Sequence, residues 1–247
     1  MVRLPLKNAY NVRELGGYPT SRGQITKHHS FLRADDLVNL DEKDIDYLSS
    51  YGVTAIVDLR STLELNSHPN PFSKIDEVNY INISLMTDEA VSADLTKVMT
   101  DKPEQLLPNM YLEMVKGNTE VLKLIFEYFA EQDGCILFHC AAGKDRTGIV
   151  AMLLLGLAEV ERQDIIANYM LTEVYLKENP FMKQATKHYP EFPVELMYSK
   201  PAYIEPVIDY ILTTYGSVEN YLLYIGISKD ILASIKNKLV VGTLQPQ

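Results

Sequence analysis

A chain of 247 residues with 47% hydrophobic and 23% charged residues has ordinary globular composition, which excludes wholesale disorder and fibrous repeats and suits one larger domain. The formal charge of −10 excludes a general nucleic-acid binder, because neutralising phosphates requires a basic surface. The first 33 residues run the other way, with six basic residues (Arg3, Lys7, Arg13, Arg22, Lys27, Arg33) against Glu14 alone, and such a segment points to a specific anion site.

Taken in chain order, His28 and His29 follow Gly23 as surface residues of a turn, and the first regular element begins at Asp41. Asp41 followed by Asp44, with Leu40 and Ile45 placed to staple the first turn, predicts a helix that Gly52 ends. Val53 to Leu59 reads as a buried strand and Val78 to Leu85 as a second one, with a long loop between them at 61–76 and another at 86–109. Asn118 caps a helix through Val121, Leu122, Ile125, Phe126 and Phe129, stopped by Gly134, and Cys135 to His139 is again a buried strand. Arg146 to Ala158 is apolar on nearly every side, the mark of a helix at the centre of a fold. Asp164 to Lys177 predicts a helix with Ile165, Ile166, Tyr169, Met170 and Val174 on one face. Breakers from Asn179 to Pro193 precede a helical C-terminal part with Ser217 and Ser228 as caps, Gly226 as a stop, and a stripe of Ile231, Leu232, Ile235 and Leu239. Strands that each precede helices predict an α/β sheet flanked by helices, with a helical C-terminal elaboration from about residue 160.

Two cysteines, five positions apart, make neither a disulfide framework nor a four-ligand zinc site. Reduced thiols and a cytoplasmic location are therefore expected. The N-terminus has no apolar core of a signal peptide, and the most apolar run, Ile149 to Ala158, is half of what a bilayer crossing needs, so no stable membrane insertion is expected. No cluster of histidines and carboxylates has metal-ligand spacing, and neither a metal nor another cofactor is expected.

The chemistry lies between the strand ending at His139 and the helix starting at Arg146. A cysteine leaving a strand and an arginine six positions later at a helix start can face one small anion held by the intervening backbone N–H groups. Ala141, Ala142 and Gly143 are small enough to let that backbone approach closely. The helix N-terminus and Arg146 favour the thiolate of Cys140, a nucleophile that can attack phosphorus directly. The planar fork of Arg146 can grip two equatorial phosphoryl oxygens, and Thr147 is placed to donate its hydroxyl to the sulfur. A buried structural thiol would leave Lys144, Asp145 and Arg146 unexplained, and a Walker-type loop fails because no glycine lies five residues before Gly143.

With these residues the sequence resembles the cysteine-dependent protein-tyrosine-phosphatase superfamily, whose signature is Cys, five residues, Arg, then Ser or Thr. The stretch from His139 to Gly148 resembles more specifically a bacterial branch of atypical tyrosine and dual-specificity phosphatases. Asn11 to Tyr18, Phe31 to Asp35, and Asp58, Leu59, Arg60 with Glu64 resemble further motifs of that branch, and Tyr203 to Leu239 its closing helices. The resemblance implies a protein-tyrosine-phosphatase-like central sheet, a single phosphatase domain over 1–247, and hydrolysis of phosphotyrosine, and of phosphoserine or phosphothreonine, through a phosphocysteine intermediate. Without tryptophan there is no Trp-Pro-Asp acid loop, so the leaving-group acid is either Asp145, the residue the bacterial branch uses, or Asp88. Lys144 and Arg146 on either side of Asp145 favour its ionised form, which weighs against it.

Lys144 is expected at the rim, where a second phosphate or a flank of the phosphorylated protein would lie. That position opens the alternative of a phosphoinositide substrate, opposed by the acidic chain. A phosphate-reading module without turnover is a further alternative, though Cys140, Arg146 and Thr147 are all present. A sulfurtransferase fits less well, since its loop is one residue shorter. Cys135 reads as a buried small hydrophobe, His139 as an orienter of the loop, and Arg13 and Arg33 either as a positive rim or as surface partners of Glu14, Asp35 or Asp36.

Overall fold

The structure, a computed structural model, describes residues 2–88, 103–180 and 194–241. Its centre is a five-stranded sheet in the order β1 (Arg13–Glu14), β2 (Phe31–Ala34), β5 (Cys135–His139), β3 (Val53–Asp58), β4 (Asn79–Asn82). β1 runs antiparallel to β2, and the remaining neighbours are parallel, so the sheet is mixed and the fold α/β. Because β2, β5 and β3 point the same way, the loops leaving them meet at one sheet edge, where ligands bind in open α/β sheets.

Side-chain alternation divides the core. Ile136, Phe138 and Cys140 fall on the same face as Phe31, Ala55 and Val57, under the main body of helices. Cys135 and Leu137 fall on the other, with Leu32, Ile56 and a thin cover made by α1 (Glu42–Tyr51) and the N-terminal Leu4, Leu6 and Val12. The nucleophile candidate thus sits on the thick face and His139 on the thin one.

α1 is capped as expected, Asp41 accepting from the Asp44 N–H and Gly52 closing it in the left-handed conformation. The expected loop at 61–76 is instead α2 (Thr62–Ser67), started by a capping box of Ser61 and Glu64, followed by a tight turn at Pro71–Lys74. The loop expected at 86–109 lies partly outside the described residues, and its end is the start of α3 (Pro103–Gly117). α4 (Thr119–Glu131) starts where expected, but Asn118 donates to the Leu85 carbonyl instead of capping.

α5 (Arg146–Leu157) is the buried central helix, and all its residues but Gly156 are buried. Truncating one of its leucines, such as Leu154, to alanine would cost about 2–5 kcal/mol. α6 (Arg162–Leu176) differs from expectation in its orientation: Met170 and Val174 are exposed at 43% and 55%, and the buried face carries Asn168 and Thr172 beside Ile165 and Tyr169. The breaker-rich stretch that follows lies mostly outside the described residues. α7 (Pro201–Tyr215), α8 (Val218–Tyr224) and α9 (Lys229–Leu239) complete the helical part, the last two capped by Ser217 and Ser228.

Candidate active site

In the loop from Cys140 to Asp145, the carbonyls of Cys140 to Gly143 are tied down from outside. The Ala141 carbonyl accepts the Asp36 N–H at 3.0 Å, and Asn11 Nδ2 donates to the Ala142 and Gly143 carbonyls, each at 3.1 Å. Arg33 Nη2 also donates to the Gly143 carbonyl, at 2.7 Å, and His139 Nδ1 lies 3.2 Å from the Cys140 carbonyl. The N–H groups of Ala141 through Arg146, by contrast, make no hydrogen bond among the described residues. A short arc with its carbonyls held outward and its amides unpaired at a helix start is an anion nest.

Cys140, itself buried, leaves β5 at the mouth of that nest, and Arg146 opens α5 at its far end. Arg146 does not stand free: Glu64 on α2 takes its Nη1 at 2.5 Å and its Nη2 at 2.8 Å, and the Leu59 carbonyl lies 3.5 Å from Nη1. This end-on grip leaves the Nε–H and the outer Nη2–H as a second parallel pair of donors. Burial works against the Arg146 charge, yet the Glu64 bonds and the charge of Cys140 overcome it and hold the guanidinium above its ordinary value.

Thr147 does not make the expected bond to sulfur. Its Oγ1 is buried without a hydrogen-bond partner. Lys144 also departs from expectation. Its side chain is only 3% exposed, and Nζ is turned onto the carbonyls of Leu196 and of Tyr198, the latter at 3.5 Å, away from a rim position.

Asp145 is partly exposed and takes the Tyr111 hydroxyl on Oδ1, with Lys144 Nζ 3.3 Å from the same oxygen. Tyr111 in turn lies 2.7 Å, hydroxyl to hydroxyl, from Tyr169. Oδ2 of Asp145 makes no hydrogen bond among the described residues, and the side chain is 24% exposed. Asp88 is placed elsewhere: its Oδ1 accepts the Leu63 N–H at 3.0 Å, in the first turn of α2 next to Glu64.

Beneath the loop on the thin face, His139 Nε2 sits 2.9 Å from Asn70 Nδ2 and 3.3 Å from Asp58, which also pairs with Arg60 at 2.7 Å. With Nδ1 on the Cys140 carbonyl and Nε2 on Asn70 and Asp58, both ring nitrogens have polar partners and the ring is fixed beneath the loop. Burial opposes the Asp58 charge, but His139 and Arg60 overcome that and hold the carboxyl far below its usual range. Cys135 is buried in β5, and burial pushes its thiol up, which suits a packing residue.

Arg13 and Arg33 form neither rim nor surface pair. Both are wholly buried under the loop, bonded to Asn168 and Thr172 of α6. The sequence reading missed Tyr111, Asn11, Asn168 and Thr172. Only Asn11 carried a signal, its place in the first motif. Among the described residues no three His, Cys, Asp or Glu gather as a metal site, and no helix is long and apolar enough to cross a membrane.

A model of the tyrosine phosphatase family matches residues 4–241. A tyrosine-protein phosphatase of Nostoc commune is 33% identical to this chain over 232 residues, 90% of this chain and 78% of that protein. The triple specificity protein phosphatase PtpB of Mycobacterium tuberculosis is 24% identical over 67% of each chain.

Proposed function

This chain belongs to the tyrosine phosphatase family, and from that premise we propose how its own residues divide the reaction. It is a protein-tyrosine phosphatase, hydrolysing phosphotyrosine through a phosphocysteine intermediate. The phosphoryl oxygens rest on the amides of Ala141 through Arg146 and on the free Nε and Nη2 edge of Arg146. Cys140 Sγ attacks phosphorus as the P–O bond to tyrosine breaks, and Asp145 Oδ2 gives its proton to the departing phenolate oxygen. Water then attacks the phosphocysteine, the Asp145 carboxylate takes its proton, and phosphate leaves with the thiolate restored.

The observation that carries this reading is the run of unpaired amides in a loop whose Ala141, Ala142 and Gly143 carbonyls are held by the scaffold. In this reading one domain carries the reaction, which the family match over residues 4–241 supports, and the free thiols of Cys135 and Cys140 suit the reducing cytoplasm. Its substrates are phosphorylated proteins. The inward turn of Lys144 onto Leu196 and Tyr198 favours recognition of a single phosphoryl group over a multiply phosphorylated lipid headgroup.

The test is phosphate release from a phosphotyrosine peptide in excess EDTA, beside Cys140→Ser, which should bind the peptide without turning it over. Equal release from both proteins would overturn the mechanism. Asp88, placed beside the Glu64 and Arg146 pair, is the competing acid. Asp145→Asn should lose activity most on esters with poor leaving groups and Asp88→Asn should not. The reverse result would transfer the role.

A further inference from the structure

Two arginines lie buried side by side beneath the active-site loop, paired in register on β1 and β2, and neither forms an ion pair with a carboxylate among the described residues. Arg33 spends Nη1 on Asn168 Oδ1 at 2.6 Å and Nη2 on the Gly143 carbonyl and on Thr172, and its Nε is buried without a partner. Arg13 grips the side-chain oxygen of Asn11, which fixes the amide so that Nδ2 faces the loop carbonyls. A buried positive charge without an opposite charge is strongly disfavoured, so a negative group nearby must answer it.

We propose that Arg33 is a positioning residue of this phosphatase: it holds the Gly143 carbonyl out of the nest, and its charge is answered across the loop by the Cys140 thiolate. The inference rests on the reading of Cys140 as the nucleophile. Three lines meet in it. The carbonyl contact faces outward, as an inward-facing amide ring demands. Gly148, on the first turn of α5, borders the guanidinium, a Cβ built there standing at ordinary contact, 3.8 Å, from Arg33 Nη2, so Arg33 lies against the start of the helix that Arg146 opens. Burial pulls Arg33 down to about 10, and the Cys140 charge is the foremost of those that work against this, ahead of Tyr18, Tyr169 and Tyr111.

The charged and titratable groups packed around Arg33 are thus Arg13 from β1, Tyr18, Tyr111 of α3, Tyr169 of α6 and Cys140. Arg146, with Glu64 behind it, approaches Cys140 from the other end of the loop. Arg33 works from within the scaffold and touches the reacting atoms only through the loop.

The experiment follows alkylation of the Cys140 peptide by iodoacetamide against pH in the ligand-free protein, read by mass spectrometry, together with kcat and KM for an aryl phosphate. Arg33→Met should raise the pH of half-maximal alkylation, by removing a buried positive charge from beneath the loop, and lower kcat at least tenfold. Arg33→Lys should keep the alkylation midpoint, by keeping the charge, without recovering kcat, because lysine cannot hold both Asn168 and Gly143. Asn168→Asp leaves every side chain the same size and gives Arg33 a carboxylate of its own, so it should move the midpoint in the same direction as Arg33→Met.

If Arg33→Met does not fold, Asn168→Asp decides. Wild-type alkylation midpoints in both Arg33→Met and Asn168→Asp would overturn the proposal. Absence of turnover in the wild-type protein would instead overturn the phosphatase assignment, while the midpoints would still judge the role of Arg33.

Discussion

The α-carbon of Gly143 lies against the end of β2, so that a Cβ built on it would overlap the Ala34 carbonyl and stand 2.7 Å from the Asp35 nitrogen. The glycine also has φ +63°, in the left-handed region. Gly143→Ala should therefore displace the loop from β2. The expected result is a kcat/KM at least a hundredfold lower and a loss of about 1–3 kcal/mol of stability, checked by phosphate release and thermal melting. Near-normal activity would show that the loop does not need this contact.

Glu64→Gln should lower kcat about ten- to a hundredfold by loosening Arg146, with Glu64→Ala at least as severe. Burial alone would raise the Glu64 carboxyl, but the bonds from Arg146 outweigh it and hold it below the usual carboxylate value. A depressed carboxyl keeps its pairing above its unfolded-state value and loses it only as pH falls through the lowered one. The ratio of wild-type to Glu64→Gln rates should accordingly be flat between pH 5 and 8. A ratio that collapses toward one within that range would contradict the pairing as the source of the effect.

Tyr111→Phe removes the donor on Asp145 Oδ1 and the partner of the Tyr169 hydroxyl. Stability should drop by about 1–2 kcal/mol, because a buried hydroxyl is left unpaired. Turnover of a phenyl phosphate should fall several-fold more than that of a p-nitrophenyl phosphate, whose leaving group needs no proton. Equal losses on the two esters would indicate that Tyr111 supports the fold and not the acid.

Asp35 is buried and receives the N–H groups of Tyr10 and Asn11, yet burial dominates and pushes its carboxyl up to about 6. The folded state then holds this proton more tightly than the unfolded chain does. Its contribution to stability is complete at low pH and is lost as pH rises from about 4 to about 6, by an amount on the order of 3 kcal/mol. Asp35→Asn lacks that titration. The melting temperature of the wild type relative to the variant should fall across this window, and a constant difference from pH 4 to 7 would refute the assignment.

The sheet order and the site were legible to different degrees for physical reasons. Val53 to Asp58, Cys135 to His139 and the helix after Arg146 are buried on all sides and read as apolar runs, so their places were plain. β2 was hidden because Arg33 sits in the middle of its four residues, and a buried arginine looks like a surface one in sequence. The same disguise turned the reading of α6: Asn168 and Thr172 lie inward to serve the two arginines, whereas the apolar Met170 and Val174 lie outward. Cys140 and Arg146 were legible because their spacing along the chain is their geometry. Tyr111 and Glu64 meet the loop only through tertiary structure, 34 and 82 positions away from their partners, and only Glu64 carried a motif.

The bond between Arg33 and Gly143 joins positions 110 residues apart, and β2 pairs with β5 over a similarly long stretch, Arg33 beside Phe138. A ribosome must therefore make more than half of the protein before the strand that carries Cys140 can find its neighbour. Until that closure the cysteine is an ordinary thiol on an unfolded chain, with no amides gathered about it and no guanidinium beneath. Hydrolytic competence therefore waits on that long-range closure, and a chain that carries the signature loop without β2 beside it lacks the means to use it.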